Sequence, residues 1–122
     1  MHFVLLVDFG PQPPAEELLN AHLDWLLPRF SEGFFILTGG LEGTDGHPPS
    51  AMAVLEADSL EAAREVLNTD PFIMAGACTH RVMPYIARVR TDGMDGRFGD
   101  EVRVIPVEPA GSESAARDRA AI

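Results

Sequence analysis

Apolar residues come in short blocks separated by polar, proline-bearing or glycine-bearing stretches, and the spacing within each block assigns its element. His2 to Asp8 (H-F-V-L-L-V-D) is a continuous apolar run with β-branched residues, short enough for a buried strand. Gly10 to Pro14 interrupts it. Pro14 is expected in a first helical turn, where a missing N–H costs nothing, with Glu16 and Glu17 at the positive end of the helix dipole. Leu19, Leu23, Leu26 and Phe30 then recur at i, i+4, i+7 and i+11, one face of an amphipathic helix. Pro28 removes a backbone donor and is expected to kink this helix or end it near Leu27. Gly33 is a natural stop.

Phe34 to Gly40 reads as a second strand and Ala51 to Ala57 as a third, joined across a loop rich in Gly and Pro from Glu42 to Ser50. Asp58 with Glu61 three positions on predicts a capping box, ahead of a helix whose buried stripe is Leu60, Ala63 and Leu67. Asp70-Pro71-Phe72 opens a short helical turn ending at Gly76, and Thr79 to Val89 alternates as a last strand. The order β-α-β-β-α-β predicts an α+β, ferredoxin-like domain over residues 1–90, with an antiparallel sheet and both helices on one face. The other sheet face is left bare and apolar, so a homodimer formed through that face is expected. Residues 91–122 read as a Gly-rich linker, one possible extra edge strand over 101–107 barred from a sheet centre by Pro106, and a flexible tail.

Composition narrows the function classes. The chain has 122 residues, enough for one domain, and a formal net charge of −10, with nine arginines and no lysine. No arginine run is present to neutralise phosphates, so neither nucleic acid nor an anionic membrane is expected as a partner. The lack of lysine excludes a Schiff-base lysine and a P-loop. No apolar run approaches the length of a bilayer span, and no secretory signal is expected at the N-terminus. A single cysteine, Cys78, allows no internal disulfide, which points to the cytoplasm. Cys78 itself reads as a small buried hydrophobe. His2, His47 and His80 are scattered without metal-ligand spacing, so no metal and no cofactor are expected.

Two residues carry the main chemical interest. His22 lies at the border of the helical apolar stripe; it is either a boundary histidine bonded to a backbone carbonyl or a general acid/base at a cleft edge, a task suited to imidazole chemistry. Asp70, directly before Pro71, has the form of an N-cap, and its two oxygens leave room for a second hydrogen bond. Thr38-Gly39-Gly40 either presents backbone N–H groups to an anion or makes a turn. Trp25 and Tyr85 either line a pocket or pack. Gly39, Gly40, Phe72 and Tyr85 are the candidate substrate contacts.

The segments His22-Leu23-Asp24-Trp25-Leu26, Leu37-Thr38-Gly39-Gly40-Leu41, Glu56-Ala57-Asp58-Ser59-Leu60-Glu61-Ala62, Asp70-Pro71-Phe72 followed by Ala75-Gly76, and Pro84-Tyr85 resemble the YciI-like (YCII-related) family in content, order and spacing. The resemblance covers residues 1 to about 90. It implies a dimeric α/β barrel in which the residues matching His22 and Asp70 line a pocket as an active-site pair. One member is a dehydrochlorinase acting on a chlorinated hydroxyhydroquinone, so the resemblance implies a scaffold capable of elimination chemistry. The chain departs from the family at Pro28, at Gly40, where members often carry proline, and in its extension past Arg90. The functional expectation is a small-molecule enzyme using the His-Asp pair for elimination or isomerisation. The alternative is a binding or assembly module that does no chemistry.

Overall fold

A computed structural model describes residues 1–94, 98–99 and 103–106. The chain divides into a unit from Met1 to Tyr85 and a second unit beginning at Ile86. The first unit contains β1 (His2–Asp8), α1 (Glu16–Ser31), β2 (Phe35–Leu41), β3 (Ser50–Glu56), α2 (Leu60–Leu67), the single-turn α3 (Pro71–Met74) and β4 (Thr79–Tyr85). The strands form one sheet in the order β2-β3-β1-β4, with every neighbouring pair antiparallel. This is the ferredoxin-like arrangement, and no helix among the described residues is long and apolar enough to cross a membrane.

Strand alternation sorts the side chains. Phe3, Leu5, Phe35, Ala53 and Leu55 point toward the helices and are buried with Leu26, Ala63 and Leu67 in one core. The register puts Val4 beside Val54 and Met83, Leu6 beside Met52, and Leu37 beside Val54 on the opposite face. The centre of that face is apolar, with Arg81 beside Leu6 and His2, Glu56 and Tyr85 at one end, and no helix among the described residues packs on it. A β-bulge at Ile36 shifts the register between Phe35 and Leu37, so Phe35 and Thr38 both face the helices where strict alternation would send Thr38 outward.

Several local expectations are corrected. α1 starts at Glu16 with Ala15 at the N-cap, so Pro14 lies before the helix. The helix also continues through Pro28 to Ser31. The bond lost at Pro28 leaves only the carbonyl of solvent-exposed Asp24 unpaired by the helix, and water can satisfy it. Leu19 and Leu23 are each more than 40% exposed, at 42% and 41%. The inward face of α1 is instead carried by Leu26, Trp25, Phe30 and His22. At α2 the cap is Ser59, whose hydroxyl accepts the Ala62 N–H at 3.0 Å, one residue later than the Asp58–Glu61 box. The β2–β3 loop closes on Asp45 and Gly46, both at positive φ, between mutual backbone bonds of Thr44 and His47.

β4 stops at Tyr85 because its partner β1 begins at His2, opposite Tyr85, and nothing remains for later residues to pair with. The second unit holds β5 (Val89–Thr91) and β6 (Arg103–Ile105), paired in parallel as a separate two-stranded sheet. Of the strand expected over 101–107, the described residues Arg103–Ile105 are a strand and pair with β5. The tail from residue 107 lies outside the described residues.

Candidate active site

Asp70 is placed by purely local rules. Its backbone is extended, with φ −65° and ψ 127°, Pro71 holds the first helical position of α3, and Asp70 Oδ1 accepts the Phe72 N–H at 3.0 Å. The same oxygen lies 2.8 Å from His22 Nδ1, across 48 positions of sequence. The expected division of labour between the two carboxylate oxygens is therefore not what the fold uses, since cap and partner meet on one atom. The Asp70 side chain is 7% exposed and that of His22 18%, so bulk water screens the pair little. A carboxylate only accepts, so the bonded Nδ1 carries a proton and the lone pair of neutral His22 sits on Nε2. The imidazole stacks on the Phe72 ring at 4.1 Å between centroids and 15° between planes. Phe9 in turn meets Phe72 edge to face at 5.3 Å.

These groups border a hollow between the helices and the sheet. Leu5, Val7, Phe9, Leu26, Phe35 and Phe72 supply apolar walls, and the small Ala51 and Ala53 complete the lining. The cavity volume is about 40 Å³, and about 370 Å³ of empty space is present when open solvent is included. The inner part thus takes a water or a single substituent, and a ring-sized molecule must extend into the mouth. Among the described residues no arginine lines the hollow, and its polar members are His22, Asp70 and Thr38. Thr38 arrives through the bulge at Ile36, and its hydroxyl donates to the Met52 carbonyl at 3.2 Å.

Of the other sequence candidates, Phe72 lines the hollow, whereas Gly39, Gly40 and Tyr85 are not among its lining residues. Gly39 and Gly40 are internal to β2, where Gly39 lies opposite Met52 and Gly40 opposite Ala51, so they form no turn. Tyr85 pairs with His2 at the end of β4, on the register row that also holds Glu56. Sequence reasoning missed Phe9, hidden in a loop between Asp8 and Gly10, and the inward turn of Thr38, since a one-residue bulge has no signature in the apolar pattern. Cys78 is half-buried, and burial first, then the negative charge of Asp70, pushes its thiol above the usual range, which makes it a poor nucleophile. Among the described residues no group of three or more His, Cys, Asp or Glu is arranged to hold a metal ion.

Comparison with known proteins adds three findings. A family model described as YCII-related domain matches residues 1–86. A search of curated protein sequences gives no match. Among solved structures, 5-chloro-2-hydroxyhydroquinone dehydrochlorinase from Burkholderia phenoliruptrix AC1100, in complex with 2,5-dihydroxybenzoquinone, is similar with a TM-score of 0.55 and 22% identity. The match covers 71% of this chain and 95% of that one.

Proposed function

The chain belongs to the YCII-related domain family, and from that premise we propose that it is a small-molecule enzyme in which His22 transfers a proton and Asp70 orients it. The observation that carries this reading is the 2.8 Å bond between His22 Nδ1 and Asp70 Oδ1 at the edge of an apolar hollow. With Nδ1–H engaged, Nε2 is the basic atom available to a ligand, and the carboxylate stabilises the imidazolium formed when Nε2 takes a proton. Phe72, stacked beneath the ring, fixes its plane and offers its π face to the resulting cation.

The hollow favours a small, flat and uncharged substrate. Its walls are aromatic and aliphatic, it holds no cation to neutralise a carboxylate or phosphate, and its inner volume accepts one substituent. An elimination or isomerisation on a hydroxylated ring suits this equipment. In a dehydrochlorination, Nε2 takes a proton from the substrate, the electron pair forms the new double bond, chloride leaves, and the imidazolium returns its proton to solvent. We place the enzyme in the cytoplasm as a homodimer that covers the bare apolar sheet face around Val4, Leu6, Val54 and Met83.

The test is turnover by the purified protein on a panel of chlorinated and non-chlorinated hydroquinones, read as chloride release and as deuterium uptake from heavy water. Turnover that falls by about 10²-fold or more in His22→Asn supports general acid/base work by this residue. Ligand binding with no turnover of any panel member at any pH favours a binding module. Turnover unchanged in His22→Asn removes His22 from the mechanism.

A further inference from the structure

We propose that Trp25 and Thr69 form a brace that holds His22 against Asp70, making both of them positioning residues for the pair. The functional weight of the brace rests on the proton-transfer reading above; its geometry does not. The Trp25 indole N–H donates to Thr69 Oγ1 at 2.9 Å, and the Thr69 hydroxyl donates onward to the Val66 carbonyl at 2.6 Å. The direction of this relay is fixed by chemistry. An indole N–H only donates and a carbonyl only accepts, so the hydroxyl between them must do both.

The relay runs beside the His22–Asp70 bond. His22 and Trp25 are three positions apart on α1, neighbours on one helical face, and their partners Asp70 and Thr69 are adjacent in sequence. Two bonds, side by side, thus tie one face of α1 to one corner of the chain. The corner is itself pinned, because the Thr69 and Asp70 amides donate to the Val66 and Leu67 carbonyls at 3.0 Å each. On the helix side the indole meets Phe35 edge to face at 5.8 Å, with the Arg29 guanidinium 5.8 Å from its centroid. Neither end of the brace is free to drift.

The consequence for His22 follows from tolerance. A hydrogen bond at 2.8 Å weakens steeply once its partners separate beyond about 3.2 Å. Core packing of Leu26 and Phe30 holds α1 as a whole, and a second bond three positions from His22 fixes the part of its face that carries the imidazole. The brace also acts on the tautomer. If His22 leaves Asp70, the reason for its proton to sit on Nδ1 disappears, and the base at Nε2 is lost with it.

The experiment reads the His22 tautomer directly by ¹⁵N NMR of the imidazole, at a pH where the ring is neutral, in the full chain and in Thr69→Val, Thr69→Ser and Trp25→Phe. Thr69→Val keeps the shape and deletes the hydroxyl; Trp25→Phe keeps an aromatic ring and deletes the donor. The Nδ1–H to Nε2–H ratio is expected to fall by about fivefold in both, the size set by weakening one net hydrogen bond, and to stay at the parent value in Thr69→Ser. A merely stabilising role would lower the urea midpoint in these variants and leave the tautomer unchanged. A parental ratio in both folded variants, or the same fall in Thr69→Ser as in Thr69→Val, overturns the brace. No turnover is read, so failure of the brace leaves the proton-transfer reading standing, and an inactive parent leaves the brace standing.

Discussion

Replacing Asp70 by Asn separates the two tasks that meet on Oδ1. The amide oxygen can still accept the Phe72 N–H, so the cap on α3 survives, while the charge facing His22 is gone. A hydrogen bond to a charged group contributes about 1.5–3 kcal/mol and a neutral one about 0.5–1.5, so the change removes about 1–1.5 kcal/mol. Both side chains are less than one-fifth exposed, at 18% and 7%, and little is lost to screening. The unit from Met1 to Tyr85 falls in the size range where roughly 4–8 °C of Tm accompanies each kcal/mol, which gives a fall of about 4–12 °C. Asp70→Ala removes the cap as well, for about 1 kcal/mol more. Urea titrations of the parent, Asp70→Asn, Asp70→Ala, His22→Ala and the double variant Asp70→Asn/His22→Ala read these values and the coupling between the two sites. The coupling should match the Asp70→Asn loss. Zero coupling with Asp70→Asn at parental stability would show that the charge does nothing for His22. Equal stability of Asp70→Asn and Asp70→Ala would remove the cap from the account.

Three other outcomes are expected. Pro28→Ala restores a helical bond to the Asp24 carbonyl and relieves the proline clash in the last turn of α1, so it should raise the urea midpoint by the equivalent of about 1–2 kcal/mol; a lower midpoint would mean that the rigidity of proline in the unfolded chain dominates. The Cys78 thiol, pushed up from 9.0, should react with a disulfide reagent along a pH profile whose midpoint lies above that of a free thiol, and Asp70→Asn should move it back down; because the folded state holds this proton more tightly, its contribution to stability is present below about pH 9 and lost as pH rises through the folded value, and a midpoint at or below 9.0 would contradict the burial. Val54→Glu places a charge on the bare sheet face opposite Val4 and should halve the mass seen by light scattering, whereas an unchanged mass would put the dimer contact elsewhere.

What the sequence reveals tracks the range over which each feature is determined. β1 and β3 are continuous apolar runs, and their existence and pairing follow from local pattern and chain order. The cap at Asp70-Pro71 is equally local, a residue type beside a proline at the start of a turn. The meeting of Asp70 with His22 is a tertiary fact, and sequence offered it only through family resemblance. Other features were invisible for the same reason. Leu26 and Phe30 of the expected stripe do pack in the core while Leu19 and Leu23, nearer the start of α1, are exposed, a difference along the helix that spacing does not encode. The bulge at Ile36 inserts one residue without altering composition, yet it decides that the Thr38 side chain faces the hollow. Of the two outcomes expected at Pro28, the end near Leu27 does not occur, because the one carbonyl the proline leaves unpaired belongs to the exposed Asp24.

The most direct measurement of the central claim follows the proton itself. The ¹⁵N spectrum of the His22 imidazole, recorded with and without a chlorinated hydroquinone of the turnover panel, reports where that proton resides when a ring hydroxyl is offered to Nε2. The account predicts that the ligand converts His22 to imidazolium while Nδ1 keeps the signature of its bond to Asp70. A bound ligand that leaves both ring nitrogens unmoved would contradict it.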